Sequence, residues 1–240
     1  SSGLLTILSN AQNTCGFDKN PFSFLYKNKV RHIIGSGTRL HEIDRNLMLI
    51  ENIITPKRQI KLYPTPADFE KVSPYKTRPY ICIAPASLWE TKRFPEIKWV
   101  EFLNSLPAEL PIMLLGSKND EELCNNLIRK SVHKHIENLA GKLSFLQTAA
   151  LLKDAHMSFT NDSAPQHLAS AVNAPVAAIF CSTVPAFGFG PVSGHSFIIE
   201  TREKLACRPC GIHGYTACPE KHYQCAVSIN NQQLLDCLAL

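Results

Sequence analysis

Short apolar runs alternate with helically spaced apolar positions along most of the chain. Tyr80–Ala84, Pro111–Leu115, Ala155–Thr160 and Pro175–Phe180 are nearly continuous apolar runs, the pattern of strands covered on both faces. Trp99, Phe102, Leu103 and Leu106 recur at three-and-four spacing and mark the inner face of a predicted helix over 96–106. Further helices are predicted over 120–131 and 144–153, with Ser144 as cap of the second. His167, Leu168, Ala171 and Val172 share one face of another, which stops near Asn173. Ile136–Leu139 and Phe197–Glu200 read as strands and Asn230–Leu238 as a terminal helix. Strand and helix alternate, so one doubly wound α/β sheet is the economical fold.

The front of the chain follows a weaker grammar. Ser1–Ser9 is helical in pattern, Cys15–Asp18 a short strand and turn, and His32–Ile34 another strand. Ile43, Leu47, Ile50 and Ile54 predict an amphipathic helix over 41–53. Thr55–Pro79 carries several prolines and few apolar pairs, the composition of a linker. A domain boundary is therefore expected there, with residues 1–70 before it and a regular α/β domain over 78–240 after it. The chain opens with neither strand nor cap, as if entering a domain part-way.

The turn Asn161-Asp162-Ser163-Ala164-Pro165 concentrates the chemistry. Pro165 suits the first turn of the following helix, and Asp162 or Ser163 is the natural cap. A helix N-terminus attracts an anion such as phosphate. Ser163 adds a hydroxyl and His167, one turn on, an imidazole. Asp162 at the strand's C-terminal edge faces the crevice where open α/β sheets bind ligands. The alternative is that Asp162 and Ser163 only cap the helix and His167 is an ordinary surface residue. Ser87 and Lys92 follow the strand ending at Ala84, where lysine pairs with phosphate as a point charge or is simply solvated. Asp120, in the loop after Leu115, accepts a sugar hydroxyl or caps the next helix. These strands end in polar, ligand-type loops on one edge of one sheet.

Composition narrows the classes. The 240 residues are 45% apolar, ample for a sizeable core, and carry a formal charge of +5. That balance suits phosphorylated ligands or an anionic membrane face. No Lys/Arg run argues for nucleic acid, and no apolar run approaches the ~20 residues of a spanning helix. Cys82, Cys124, Cys181 and Cys237 fall inside apparent strands or helices, as buried thiols of a reducing compartment do. Cys207, Cys210, Cys218 and Cys225 form a separate cluster with His213 and His222 inside it. Four soft ligands offer zinc a tetrahedral set, although the spacing after the first pair is short for a zinc ribbon. The other reading is a thiol-rich structural loop that follows the sheet and is not one of the three ligand loops.

Four pieces, in order, resemble the family 9 glycosyltransferases, the bacterial heptosyltransferases of lipopolysaccharide core synthesis. They are Ala84-Pro-Ala-Ser87 with Lys92-Arg-Phe-Pro95, Leu139-Ala-Gly-Lys142, Thr160-Asn-Asp-Ser-Ala-Pro-Gln-His-Leu-Ala169, and the segment Cys207 to Cys225. The resemblance implies a GT-B-type fold, with a complete C-terminal Rossmann-like parallel-sheet domain over 78–240. Residues 1–70 resemble the closing part of the N-terminal, acceptor-side Rossmann-like domain, which implies an N-terminally truncated chain. It implies that Ser87 and Lys92 contact the donor phosphates and that Leu143 lies near the adenine. Asp162 would hold the donor sugar, and Ser163, Ala164 and His167 would line the pyrophosphate. Lys92 and Asp162 would be the catalytic pair. Ala164 stands where the family usually has glycine, and the family's N-terminal aspartate base has no counterpart here.

The implied function is inverting transfer of heptose or a related sugar from an ADP-sugar, usually ADP-L-glycero-D-manno-heptose, to the lipopolysaccharide inner core. The implied acceptor is lipid A–Kdo or the core, met at the cytoplasmic face of the inner membrane. No cofactor is required and no nucleic acid is a partner. The alternative is an inactive nucleotide-sugar-binding fragment, so the chain as given is expected to bind an adenine nucleotide weakly and to transfer no sugar.

Overall fold

The computed structural model describes residues 2–35, 40–55 and 57–238. The chain forms two compact units, Ser1–Gln59 with Ala186–Phe189, and Ile60–Pro185 with Gly190–Leu240.

The first unit holds α1 (Ser2–Leu8), β1 (Cys15–Phe17), β2 (Asn28–Val30) and α2 (Glu42–Leu47). β1 and β2 pair in parallel, with Cys15 opposite Asn28 and Phe17 opposite Val30. α2 starts on a capping box: His41 accepts from the Ile43 amide, and Asp44 reaches back to the His41 amide. The unit's centre is a buried cation, Arg45, only 1% exposed. Its guanidinium donates to Glu42 Oε2 at 2.6 Å, to the Leu40 carbonyl at 2.6 Å and to the Phe187 carbonyl at 2.7 Å. Gly188 has φ +91°, and a Cβ there would lie 2.2 Å from the Leu40 carbonyl, so only glycine fits beside this cluster.

The second unit contains α3 (Pro66–Val72), β3 (Ile81–Ala84), α4 (Glu96–Ser105), β4 (Ile112–Leu114), α5 (Glu121–Lys130), β5 (Ile136–Asn138) and α6 (Phe145–Lys153). It continues with β6 (Met157–Asn161), α7 (Ala164–Ala171), β7 (Val176–Phe180), β8 (Ser196–Glu200), α8 (Gln224–Val227) and α9 (Gln232–Asp236). Its six strands are all parallel, in the order β5-β4-β3-β6-β7-β8. The chain thus starts in the middle, builds to one edge, then returns and builds to the other. This is the doubly wound order, and its switch point lies between β3 and β6, where such sheets open a ligand crevice. Ala84 is paired with Thr160, so the loops after β3 and β6 leave the same edge side by side.

Alternation along each strand builds two cores. Ile81, Ile83, Ile112, Leu114, Met157 and Phe159 face one side, packed with Trp99, Phe102 and Leu103 of α4, Leu127 of α5 and Leu234 of α9. Cys82, Ala84, Met113 and Leu115 face the other, packed with Val72, Leu151, Leu152 and Ala169. Burial pushes the Cys124 thiol up to about 12 and Cys82 beyond any ordinary range, so these cysteines act as small apolar residues.

The sequence reading needs four corrections. The supposed linker contains α3, whose Val72 is fully buried. Its start signal was present as Thr65-Pro66-Ala-Asp68: Asp68 Oδ2 takes the Thr65 amide at 2.8 Å, and Pro66 stands in the first turn. The strand expected at His32–Ile34 lies instead at 28–30, because Asp18 Oδ1 takes the His32 amide and turns the chain there. α2 stops at Leu47, after which Leu49 and Ile50 bond three residues back and leave Ile53 and Ile54 exposed. α8 was not expected, being only four residues at the end of the cysteine-rich segment and just past it.

Arg45→Met keeps much of the stem but strands Glu42 and the two carbonyls. It is expected to lower unfolding free energy by about 2–4 kcal/mol. Urea titration followed by hydrogen exchange at the α2 amides checks this, and a change below about 0.5 kcal/mol, the usual effect of a surface substitution, would remove Arg45 from the centre of the first unit.

Candidate functional site

The site is built where the β3 and β6 loops meet at the switch point. Asn161, the last residue of β6, is fully buried. Its Nδ2 donates to the Pro85 carbonyl at 2.7 Å, and its Oδ1 accepts from the Phe94 amide at 3.0 Å. One side chain therefore pins both ends of the loop that carries Ser87 and Lys92. Within that loop Ser87 is buried and its carbonyl takes Arg93 Nε at 2.7 Å. Lys92 closes a short 3-10 turn, Glu90–Lys92. Its ammonium lies 2.6 Å from Asp162 Oδ2, with the two side chains 15% and 7% exposed.

Asp162 is not a helix cap, which corrects one of the two capping expectations. Its carboxylate is held by three donors: Lys92, Thr183 Oγ1 at 2.7 Å on Oδ2, and Gln166 Nε2 at 3.0 Å on Oδ1. Ser163 occupies the N-cap position of α7 without a side-chain cap bond, and its hydroxyl instead reaches back to the Asn161 carbonyl at 3.4 Å. The amides of the first turn are therefore not covered by a capping side chain. Ala164 is the first helical residue and has no positive φ, so alanine in place of glycine carries no backbone strain there. His167 sits one turn into α7, half-buried.

The other two expected residues are placed differently. Asp120 Oδ2 accepts from the Ser117 amide and hydroxyl, both at 2.7 Å, and Ser117 accepts from the Asp120 amide in return. It closes the 3-10 turn Lys118–Asp120 that leads into α5 and makes no side-chain cap bond to α5 itself. Leu143 is half-buried beyond the end of β5 and packs on the second core.

The cysteine-rich segment is not itself one of the three ligand loops, but it is bonded to one of them. Thr91, next to Lys92, exchanges bonds with Tyr215: its amide donates to the Tyr215 carbonyl at 3.1 Å, and its hydroxyl accepts the Tyr215 amide at 2.8 Å. Ser182 Oγ adds a bond to the same hydroxyl at 3.0 Å. Arg208 donates to the carbonyls of Phe180, Cys181 and Thr183 at 2.7–3.0 Å and pairs with Glu200 at 2.6 Å. The segment is thus bonded to the Lys92 loop and to the loop after β7. Sequence reasoning missed Asn161, Thr91, Thr183 and Arg208. The first was legible as a buried polar residue at a strand end, and the others gave no local signal.

The zinc set of Cys207, Cys210, Cys218 and Cys225 is not assembled. Among the described residues no group of three or more His, Cys, Asp or Glu side chains is arranged to hold a metal ion. Burial, then Cys210 beside it, pushes Cys225 up to about 11; Cys210 is raised by burial and then by Cys207 and Cys218.

Comparison with known proteins places this geometry. The model of glycosyltransferase family 9 (heptosyltransferase) matches residues 1–214. Lipooligosaccharide heptosyltransferase 2 of Campylobacter jejuni is 23% identical over 203 residues, which are 82% of this chain and 63% of that protein. The chain thus spans less than two thirds of that relative's length. Two solved structures share the fold over 99% of this chain. One is the ADP-heptose LPS heptosyltransferase II of E. coli, with TM-score 0.74, 20% identity and 72% of its own chain covered. The other is a family 9 glycosyl transferase of Veillonella parvula, with TM-score 0.79, 18% identity and 69% covered. At that identity the likeness carries the fold, which is of the GT-B type. Since the family model runs through nearly the whole chain, this protein belongs to glycosyltransferase family 9, the heptosyltransferase family.

Proposed function

We propose that the switch-point site binds the diphosphate of an ADP-sugar and serves transfer of a heptose-type sugar to the lipopolysaccharide inner core. The observation that carries the reading is the Lys92 ammonium, held against buried Asp162 at the end of β3. An ammonium has three donors, so the bond to Asp162 leaves others for phosphate oxygens. α7 begins two residues after Asp162, behind Ser163 at its N-cap position, and its N-terminus adds partial positive charge in the same place. Both would stabilise the diphosphate as negative charge develops on departure, an electrostatic form of catalysis. Asp162 accepts from an ammonium and two neutral donors, an arrangement for orientation rather than for taking the acceptor proton. The heptosyltransferase relatives support heptose as the sugar and the lipopolysaccharide core as the acceptor. Ser87, Ser163, Ala164 and His167 line the diphosphate in this reading, and Leu143 the adenine. Donor and core would meet at the cytoplasmic face of the inner membrane.

Lys92→Ala is expected to weaken ADP binding by about 1.5–3 kcal/mol, the worth of a charge-assisted contact. Calorimetric titration measures it, with melting recorded alongside because the substitution also unpairs Asp162. Equal ADP affinity in a folded variant removes Lys92 from the site.

Gly214 has φ +79°, and a Cβ there would lie 2.9 Å from Thr91 Oγ1 and 3.2 Å from Lys92 Cγ. Gly214→Ala should therefore displace the Lys92 stem and reduce ADP affinity about three- to tenfold, or roughly 0.7–1.4 kcal/mol. The same titration checks it, and wild-type affinity would uncouple the cysteine-rich segment from Lys92.

The whole reading is tested by incubating the chain with ADP-heptose and a heptose-free core acceptor, following ADP release and the mass of the core. Heptosylated core would support the transfer reading, against the expectation from sequence that the chain as given binds donor and transfers no sugar. Donor binding without product would assign this chain nucleotide-sugar binding alone, and absence of both would reject the site.

A further inference from the structure

The carboxylate of Asp162 is aimed by two neutral side chains that no part of the reading so far requires. Gln166 lies one turn into α7, fully buried, and its Nε2 donates to Oδ1. The amide cannot be turned the other way, because an ionised carboxylate only accepts and would then face the Gln166 oxygen. That orientation leaves Gln166 Oε1 buried without a partner. Such an orphan costs about 1–3 kcal/mol. That cost offsets much of what a bond to a charged group contributes, so stability is a weak reason for glutamine at this position.

Thr183 makes the complementary contact from the loop after β7. Its hydroxyl donates to Oδ2, and its own carbonyl is held by Arg208. The two oxygens of Asp162 are thus approached from different elements, α7 and the β7 loop, while Lys92 approaches from the β3 loop. Three anchors from three elements fix the plane of a carboxylate, which one ion pair would leave free to turn. The geometry also divides the oxygens. Oδ2 carries Lys92 and Thr183, whereas Oδ1 carries one donor among the described residues, leaving it acceptor capacity for a hydroxyl.

We propose that Gln166 and Thr183 are positioning residues that aim Asp162 Oδ1 at a hydroxyl of the donor sugar, so that they set recognition of the sugar and not of the nucleotide. This rests on the proposed ADP-sugar site and adds to it the means by which the sugar end is read. A buried acceptor fixed in this way discriminates by position, because a sugar whose hydroxyl misses Oδ1 leaves a desolvated carboxylate short of a partner.

The experiment titrates the chain with ADP and with ADP-heptose and compares the ratio of the two dissociation constants. Gln166→Met and Thr183→Val should each raise the ADP-heptose to ADP ratio about tenfold, while the constant for ADP alone stays within about twofold. Thr183→Ser, which keeps the hydroxyl, should restore the ratio. Gln166→Met removes the orphaned oxygen and the bond to Asp162 together, so melting is recorded alongside to show that the variant is folded. A merely structural role would weaken both ligands together and leave the ratio unmoved, and that result overturns the assignment. So does an unchanged ratio in stable variants that bind ADP normally. A wild-type chain that binds neither ligand rejects the ADP-sugar reading and this inference with it, whereas loss of the ratio change alone rejects only the inference.

Discussion

A buried carboxylate in an α/β sheet is tolerated only with partners, and the arrangement of the second unit follows from supplying them to Asp162. Taking a carboxylate out of water without compensation costs several kcal/mol. Asp162 is 7% exposed and receives an ammonium, a hydroxyl and an amide. Each donor comes from a different element, so each element must be in register for the charge to be neutralised. β3 must sit beside β6 for Lys92 to reach, and β7 must sit beside β6 for Thr183 to reach. The strand order provides both neighbours. The switch-point topology therefore does more than open a crevice: it places the two strands whose loops carry the partners on either side of the strand that carries the charge.

The loops that deliver those partners are themselves held from below and from the side. Asn161 pins the ends of the Lys92 loop from within the sheet. Tyr215 pairs with Thr91 one residue away from the lysine. Arg208 gathers three carbonyls at the end of β7, groups that would otherwise end a strand without partners. A site on loops is usually loosely placed, and the geometry a phosphate ligand needs demands the opposite. Here the precision comes from buried polar side chains in strand ends and from a loop donated late in the sequence.

That origin explains what was legible in advance. The sheet was readable because its strands are covered on both faces and so appear as uninterrupted apolar runs, Ile81–Ala84 and Val176–Phe180 above all. Lys92, Asp162 and the α7 turn were readable because a charged residue after such a run stands out. Thr91, Thr183 and Arg208 were not, since each acts through a partner 21 to 124 residues away and none breaks a local pattern. α3 was hidden differently: its prolines counted toward a linker, although Pro66 behind Thr65 is a start signal and the burial of Val72 settles which reading holds. The strand at 28–30 was missed because three residues carry no periodicity.

The cysteine-rich segment shows the same limit from the other side. Its thiols drew attention as metal ligands because spacing is the feature a sequence displays most plainly. In the structure burial raises two of those thiols, Cys210 and Cys225, and the bonds that tie the segment down are made by Arg208, by the Cys210 amide to the Ser182 carbonyl, and by Tyr215. The cysteines are then small, partly buried packing residues that let a loop with little regular structure of its own fold back onto the C-terminal edge of the sheet. Such a loop is held by its contacts with the loops it supports. Its order and the order of the Lys92–Asp162 pair are therefore one property of the fold, and disturbing either should disturb the other.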